Sequence, residues 1–350
     1  MADPSWSDLP ADVLATVLGE LEFPDLFRSA AAACTTWRAA ARALLRLGIY
    51  NRSQSPCLFY TAAAAAGTRA AELFSLADKT TYKAVRLPDP PIEERNIVGS
   101  SHGWLVTADA RSELLLLNPA TGDQIDLPPV STVEQIKEPM SRKAMPCTSS
   151  GTPCISRSCY PATLRNPFHR QLSFARVGDE MWHWATTSFH DSQYSDCIFH
   201  EGAFYAMNSR GGIHRHTIEG SCATRDVILK DVSPFVARNY ISRSSTGDVL
   251  QIWRMTNGNR ETACIQIYKV DFDKQKIAGM RTLGDDALFI GHNYTCCVST
   301  KDCPMLLPNH VYFTEDDGYR LYDRKDNRRS VEHIVWRINM SMMWSLLNTG

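Results

Sequence analysis

The feature that most restricts the fold is the return of short strand-like runs, rich in Val, Ile, Leu, Phe and Tyr, in groups about 40–50 residues apart. Residues 57–90 carry CLFYT, AELFSL and YKAVRLPDP, and NIVGSSHGWLVTADARSELLLLNPATGDQIDLPP follows. Further groups are QLSFARVGDEMWHWATT, CIFHEGAFYAMNSRGGIHRHTI, YISRSSTGDVLQIWRM through IQIYKVDFD, and DALFIGHN through VYFTEDDGYRLYD. Between the runs stand Gly178-Asp179, Gly202, Gly247-Asp248 and Gly318, residue types that make a tight reversal cheap. A period of this length is expected of propeller blades, and the groups number about six.

The first 48 residues differ in kind. They are rich in Ala and Leu, and their apolar residues recur at helical spacing. Pro10 suits the first turn of a helix, and Asp8 and Asp12 lie where the helix dipole favours negative charge. Val13, Leu14, Val17, Leu18 and Leu21 place one apolar stripe along residues 11–21. Pro24 ends that segment. A second short helix is expected from Asp25 to about Ala32, and a third from about Thr35, with Trp37, Ala40, Ala41, Leu44 and Leu45 as its stripe. Three small helices bury little surface alone, so a Leu/Val stripe of this kind makes more sense when another protein covers it.

LPADVLATVLGELEFPDLFRSAAAACTTWRAAAR resembles an F-box, with its opening Leu-Pro, its helix of paired aliphatic residues and its closing Trp-Arg. The resemblance implies docking onto the Skp adaptor of a Skp/cullin/F-box ubiquitin ligase. The matching positions are Leu9, Pro10, Val13, Leu14, Val17, Leu18, Leu21 and Trp37. LLLLNPATGDQIDLP, HEGAFYAMNSRGG and LGDDALFIGHN followed by VYFTEDDGYRLYD resemble the KIB-type, kelch-like β-propeller that follows F-boxes in many plant proteins. The expected architecture is therefore multidomain α and β: a three-helix F-box over residues 1–48, then an all-β propeller of about six blades over 49–339. The segment 131–166, with KEPMSRKAMPCTSSGTPCISRSCYP, is expected to be a mobile insertion, and 340–350 an atypical tail that leaves closure of the last blade open. Residues 62–66, an Ala run ended by Gly67, read as a loop.

Charge narrows the function. Basic and acidic residues number 37 and 38, giving a net charge of −1 and no global field for nucleic acid or anionic lipid. No charge-free apolar run approaches the roughly 18 residues of a membrane helix, and MADPSWSDLP lacks the features of a signal peptide. The eleven cysteines include no C-x-x-C pair; Cys147, Cys154 and Cys159, and likewise Cys296, Cys297 and Cys303, lack zinc spacing and read as reduced thiols.

Other chemistry is also weakly supported. Asp285 and Asp286, adjacent, read as a turn before a strand. His214 and His216 share one strand face but lack an evident third ligand. Residues 99–103 read as a strand-linking loop without nucleophile-elbow spacing, and Gly211-Gly212 as a turn. Arg324, Lys325, Arg328 and Arg329 read as a solvated loop with some resemblance to a nuclear import signal. Trp182 and Trp184 should pack between blades on one face.

The sequence thus leads to a non-catalytic substrate receptor with no metal and no cofactor. It is expected to bind the Skp adaptor and, through it, cullin, while the propeller holds a target protein whose binding residues are unknown, in cytoplasm or nucleus. The alternative is a module that inhibits or sequesters a partner such as a protein kinase without degradation.

Overall fold

The computed structural model describes residues 9–21, 26, 33–46, 56–63, 69–76, 79–83, 92, 95–101, 104–118, 123–132, 162–165, 172–185, 194–233, 238–256, 262–290, 295–315, 318–323, 328–330 and 343–345. Helix α1 spans Ala11–Gly19 and α2 spans Thr35–Arg46. Pro10 leads into α1 with a φ of −55°, and its carbonyl accepts the Leu14 N–H at 3.0 Å. Asp12 sits in the first turn, as the dipole favours. The described residues form two helices rather than the expected three: the predicted second helix lies almost wholly outside them, with only Leu26 described and helical.

The remainder is an all-β propeller, and the strands of its described residues fall into six sheets. The first holds β1 (Cys57–Ala63), β2 (Arg69–Ser75) and β3 (Thr81–Lys83), and the second β4 (Asn96–Ser101), β5 (Trp104–Ala108), β6 (Leu114–Leu117) and β7 (Gln124–Asp126). Among the described residues three strands make the third: β8 (Ala162–Arg165), β9 (Leu172–Ala175) and β10 (His183–Trp184). The fourth contains β11 (Tyr194–His200), β12 (Ala203–Asn208), β13 (Ile213–Glu219) and β14 (Cys222–Leu229). β15 (Arg238–Arg243), β16 (Val249–Thr256), β17 (Thr262–Asp271) and β18 (Lys276–Gly279) form the fifth.

The sixth sheet has β19 (Asp286–Ile290), β20 (Thr295–Ser299), β21 (His310–Glu315), β22 (Gly318–Asp323) and β23 (Arg328–Ser330). Its order is β20-β19-β21-β22-β23, with β19 and β21 parallel in an otherwise antiparallel sheet. The last strand, β24 (Met343–Ser345), returns to the first sheet and pairs antiparallel with β1, Cys57 opposite Ser345 and Phe59 opposite Met343.

Two of the inner strands, β12 and β19, are buried on both faces, which is why they read as nearly continuous apolar runs rather than alternating ones. Every described residue of AFYAMN in β12 and DALFI in β19 is buried. Side-chain alternation then sends successive residues to different neighbours. In β19, Leu288 and Ile290 pack with Leu250 and Ile252 of the fifth sheet, whereas Ala287 and Phe289 pack with Leu58 and Phe74 of the first. Similar clusters join the second sheet to the third, the third to the fourth and the fourth to the fifth.

Several local expectations change. Ala162–Arg165, inside the expected mobile insertion, forms β8, because β9 offers a complete edge and register (Ala162 opposite Ala175); residues 133–161 lie outside the described residues. The tail 340–350 contributes β24 because the backbone of Cys57 to Phe59 offers it a pairing edge. Ala62 and Ala63 extend β1 opposite Ala70 and Arg69, the ladder overriding a weak strand propensity. Gly99 to Ser101 belong to β4, with a register shift at Gly99 rather than a loop. Arg328 and Arg329 lie on β23 opposite Asp323 and Tyr322, not in a loop.

Candidate docking surfaces

The α1 stripe is split by its own helix. Leu14 and Leu18, one turn apart, are fully buried at 0% exposure, whereas Val13 and Val17 are 41% and 40% exposed. Leu18 packs with Leu26, with Ala41 and Leu44 of α2, and with Cys57, Phe59, Ile92, Leu105 and Leu117 from the strand region. Leu21 and Trp37 are half-buried against the same cluster. Leu9 is half-buried and Pro10 exposed. Of the eight residues expected to meet an adaptor, Leu14 and Leu18 are therefore turned into the chain's own core, and the outward aliphatic pair is Val13 and Val17. A five-residue stripe is wider than one helix face needs, and periodicity alone does not say which edge the rest of the chain covers.

On the propeller, the seams between sheets carry directed polar bonds as well as apolar packing. Buried Asp196 accepts the N–H of Cys197 at 2.9 Å and, across the seam, that of Ile241 at 3.0 Å. Asn239 Nδ2 donates to the Asn208 carbonyl at 2.8 Å, and Gln251 Nε2 to the Gly211 carbonyl at 2.7 Å. Asp286 takes the N–H and hydroxyl of Ser245 at 3.0 and 2.5 Å, while its neighbour Asp285 meets exposed Lys301 at 2.8 Å. The two carboxylates thus serve separate structural contacts and do not converge on one reacting atom. Trp182 spans the second and third sheets, its Nε1 donating to the Pro128 carbonyl at 2.7 Å. The side chain of Trp184 lies outside the described residues.

The Gly211-Gly212 turn is required by these seams. Gly211 has a φ of +79°, and a Cβ there would lie 2.7 Å from Val232 Cγ2 and 3.0 Å from Gln251 Oε1. At Gly212 a Cβ would lie 2.6 Å from Asp231 Oδ1.

His214 and His216 share one strand face, and both meet the buried hydroxyl of Tyr194, at 2.6 Å from His214 Nδ1 and 3.3 Å from His216 Nε2. His216 Nδ1 lies 3.1 Å from the Ala185 carbonyl of the third-sheet segment. A carbonyl only accepts, so Nδ1 carries the hydrogen; in the neutral ring Nε2 then accepts from Tyr194, whose oxygen accepts from His214. The trio is an ordered bridge between the third and fourth sheets.

Burial raises the thiol pKa of Cys296 and of Cys297 far above the ordinary range, leaving both protonated and poor nucleophiles. Among the described residues, no three His, Cys, Asp or Glu side chains come together, and no helix is long and apolar enough to cross a membrane. Cys147, Cys154 and Cys159 lie outside the described residues. Among the described residues of the strand region, Met305 is the most exposed large apolar side chain, at 65%, and Leu307 is exposed beside it on the segment between β20 and β21 whose Cys303 and Leu306 are buried.

Comparison with known proteins agrees with the architecture. An F-box/kelch-repeat protein of Arabidopsis thaliana is 25% identical over 329 residues, covering 89% of this chain and 83% of that protein. An F-box protein of the same plant is 22% identical over 349 residues, covering 92% and 86%. The family model described as KIB1-4 beta-propeller matches residues 73–334, and the chain belongs to that family.

Proposed function

We propose that this chain is a substrate-recognition subunit of a Skp/cullin/F-box ubiquitin ligase. The N-terminal helices dock on the Skp adaptor, cullin joins through that adaptor, and the propeller holds a target protein for ubiquitin transfer by other subunits. The observation that carries the reading is the exposure of Val13 and Val17 on α1 above the buried Leu14 and Leu18. The helix is fixed from below and offers an aliphatic edge, flanked by Pro10 and Leu9, to a groove on a partner. Plant relatives of similar length named as F-box proteins support it.

On this reading the domains are a helical unit over residues 1–48 and a propeller over 49–339, and the six sheets are six blades. That count is supported by six core clusters, each joining neighbouring sheets, one of them the sixth sheet to the first. The mechanism is proximity: tethering raises the local concentration of target lysines near a charged conjugating enzyme, so no side chain here needs a tuned pKa. The expected compartments are cytoplasm and nucleus.

Co-expression with a plant Skp adaptor and cullin tests the reading. The full chain should co-purify with both in one complex, and a chain that stays separate from the adaptor at micromolar concentrations would contradict it.

A further inference from the structure

At the start of β1 three otherwise separate parts of the molecule meet within three residues. Cys57 and Phe59 pack into the cluster that contains Leu18, Leu26, Ala41 and Leu44 of the helical region. Leu58, between them, points the other way into the cluster of the sixth sheet, with Ala287, Phe289 and Leu306. The backbone of the same three residues forms the ladder with β24, Cys57 opposite Ser345, Leu58 opposite Trp344 and Phe59 opposite Met343. All three side chains are buried, at no more than 2% exposure. Helix docking, packing of the last sheet on the first and capture of the C-terminal strand therefore depend on one short stretch of backbone.

We propose that this junction couples the adaptor-binding helix to closure of the propeller, so that adaptor binding stabilises the platform that holds the client. The coupling rests on the adaptor reading above; the junction itself does not. α1 has two faces one residue apart in sequence: Val13 and Val17 outward, Leu14 and Leu18 inward. A partner that holds the outer face restricts movement of the inner one. Because Leu18 shares a close-packed cluster with Phe59, Leu105 and Leu117, displacement of the helix uncovers apolar surface on the first and second sheets at once. Among the described residues β24 is a short outer strand that pairs with β1 and lies beside β4, so its retention depends in part on β1 holding position. A ligand that binds only the closed form shifts the local opening equilibrium by its differential affinity for the two forms. The helices are thus an integral part of the platform rather than a tag carried beside it, and removing them is not a neutral way to separate adaptor binding from client binding.

Hydrogen exchange read by mass spectrometry on the full chain tests this in two arms. In the first, Leu18→Ala is compared with Leu229→Ala, a buried residue on the seam between the fourth and fifth sheets. Leu18→Ala should accelerate exchange in β1 and β24 by about tenfold or more, whereas Leu229→Ala should accelerate β14 and β15 and leave β24 near wild type. Acceleration confined to α1 and α2, or equal acceleration of β24 by both variants, overturns the junction. Leu18→Val, which removes less volume, replaces Leu18→Ala if the latter does not fold. In the second arm, saturating Skp adaptor should slow exchange in β1 and β24 of the wild-type chain; protection limited to the helices overturns the coupling. Failure of the adaptor to bind at all counts against the adaptor reading and against its coupling to closure, while the first arm still decides whether the junction exists.

Discussion

The seam beneath the helices and the seams among the fourth, fifth and sixth sheets hold the molecule together by different means. Among the described residues the first is built around an apolar cluster of Leu18, Leu26, Leu44, Phe59, Leu105 and Leu117, side chains that carry no hydrogen-bonding group. The others add bonds with fixed geometry to comparable apolar clusters, from Asp196 to Ile241, Asn239 to Asn208, Gln251 to Gly211 and Ser245 to Asp286. An apolar contact tolerates small shifts of one surface over another, since burial is nearly non-directional. A buried carboxylate that accepts a particular backbone N–H does not, because a shift of about 1 Å leaves both groups unsatisfied. The sheets are held at a defined angle, whereas the helices are held by area and shape.

Mutations separate the two kinds of seam. The largest effect is expected from Leu18→Ala, which opens a cavity in the apolar seam and should cost about 2–5 kcal/mol in denaturant unfolding. A cost below about 1 kcal/mol would mean that the helices contribute little to the common core. Next is Asp196→Ala, which leaves the buried Ile241 N–H without its acceptor and should cost about 1–3 kcal/mol. Asp196→Asn, keeping one acceptor oxygen, should recover part of that loss; if Ala and Asn behave alike, the carboxylate is not acting as the seam's acceptor.

The smallest effect belongs to the exposed turn pair of Lys274 and Asp271, 2.9 Å apart. Bonds from the Lys274 backbone and side chain lower the Asp271 pKa below its ordinary 3.8. A lowered carboxylate pKa adds stability above the unfolded value and loses it as pH falls through the folded one, so the pair contributes nothing pH-dependent between pH 5 and 8. Lys274→Ala should move the Asp271 titration upward in an NMR experiment and, because the pair is exposed, lower the unfolding midpoint at neutral pH only slightly. An unchanged titration would show that the pair is not formed in solution.

Much of this fold was legible in the sequence because period and pattern carry it. The strand groups became sheets, and Thr35 does begin a helix. His214 and His216 do share a face, as strand geometry requires. What escaped is whatever depends on a partner far along the chain. Asp286 reads locally as half of a turn pair, since the Ser245 it accepts from is 41 residues away. β8 and β24 exist because an edge was waiting for them, not because ATLR or MWS has a strong strand signature. The α1 stripe was visible, yet its division into an inward Leu pair and an outward Val pair was not: the cluster that holds Leu18 is assembled from residues as far apart as Leu26 and Leu117. In retrospect, one signal was available. Leucines at i and i+4 with valines one position before each mark two adjacent edges of the same helix, and the larger side chains take the core.

On the proposed function, the outward Val pair, and not the buried Leu pair, forms the adaptor surface. A calorimetric binding titration of purified Skp adaptor against the full chain and its Val13→Asp/Val17→Asp variant tests it most directly. The wild-type chain should bind, the variant should bind at least about 100-fold more weakly, and both should unfold at the same temperature because these positions lie outside the core. Equal affinity of the two chains, or a variant that loses affinity only because it has unfolded, would contradict it.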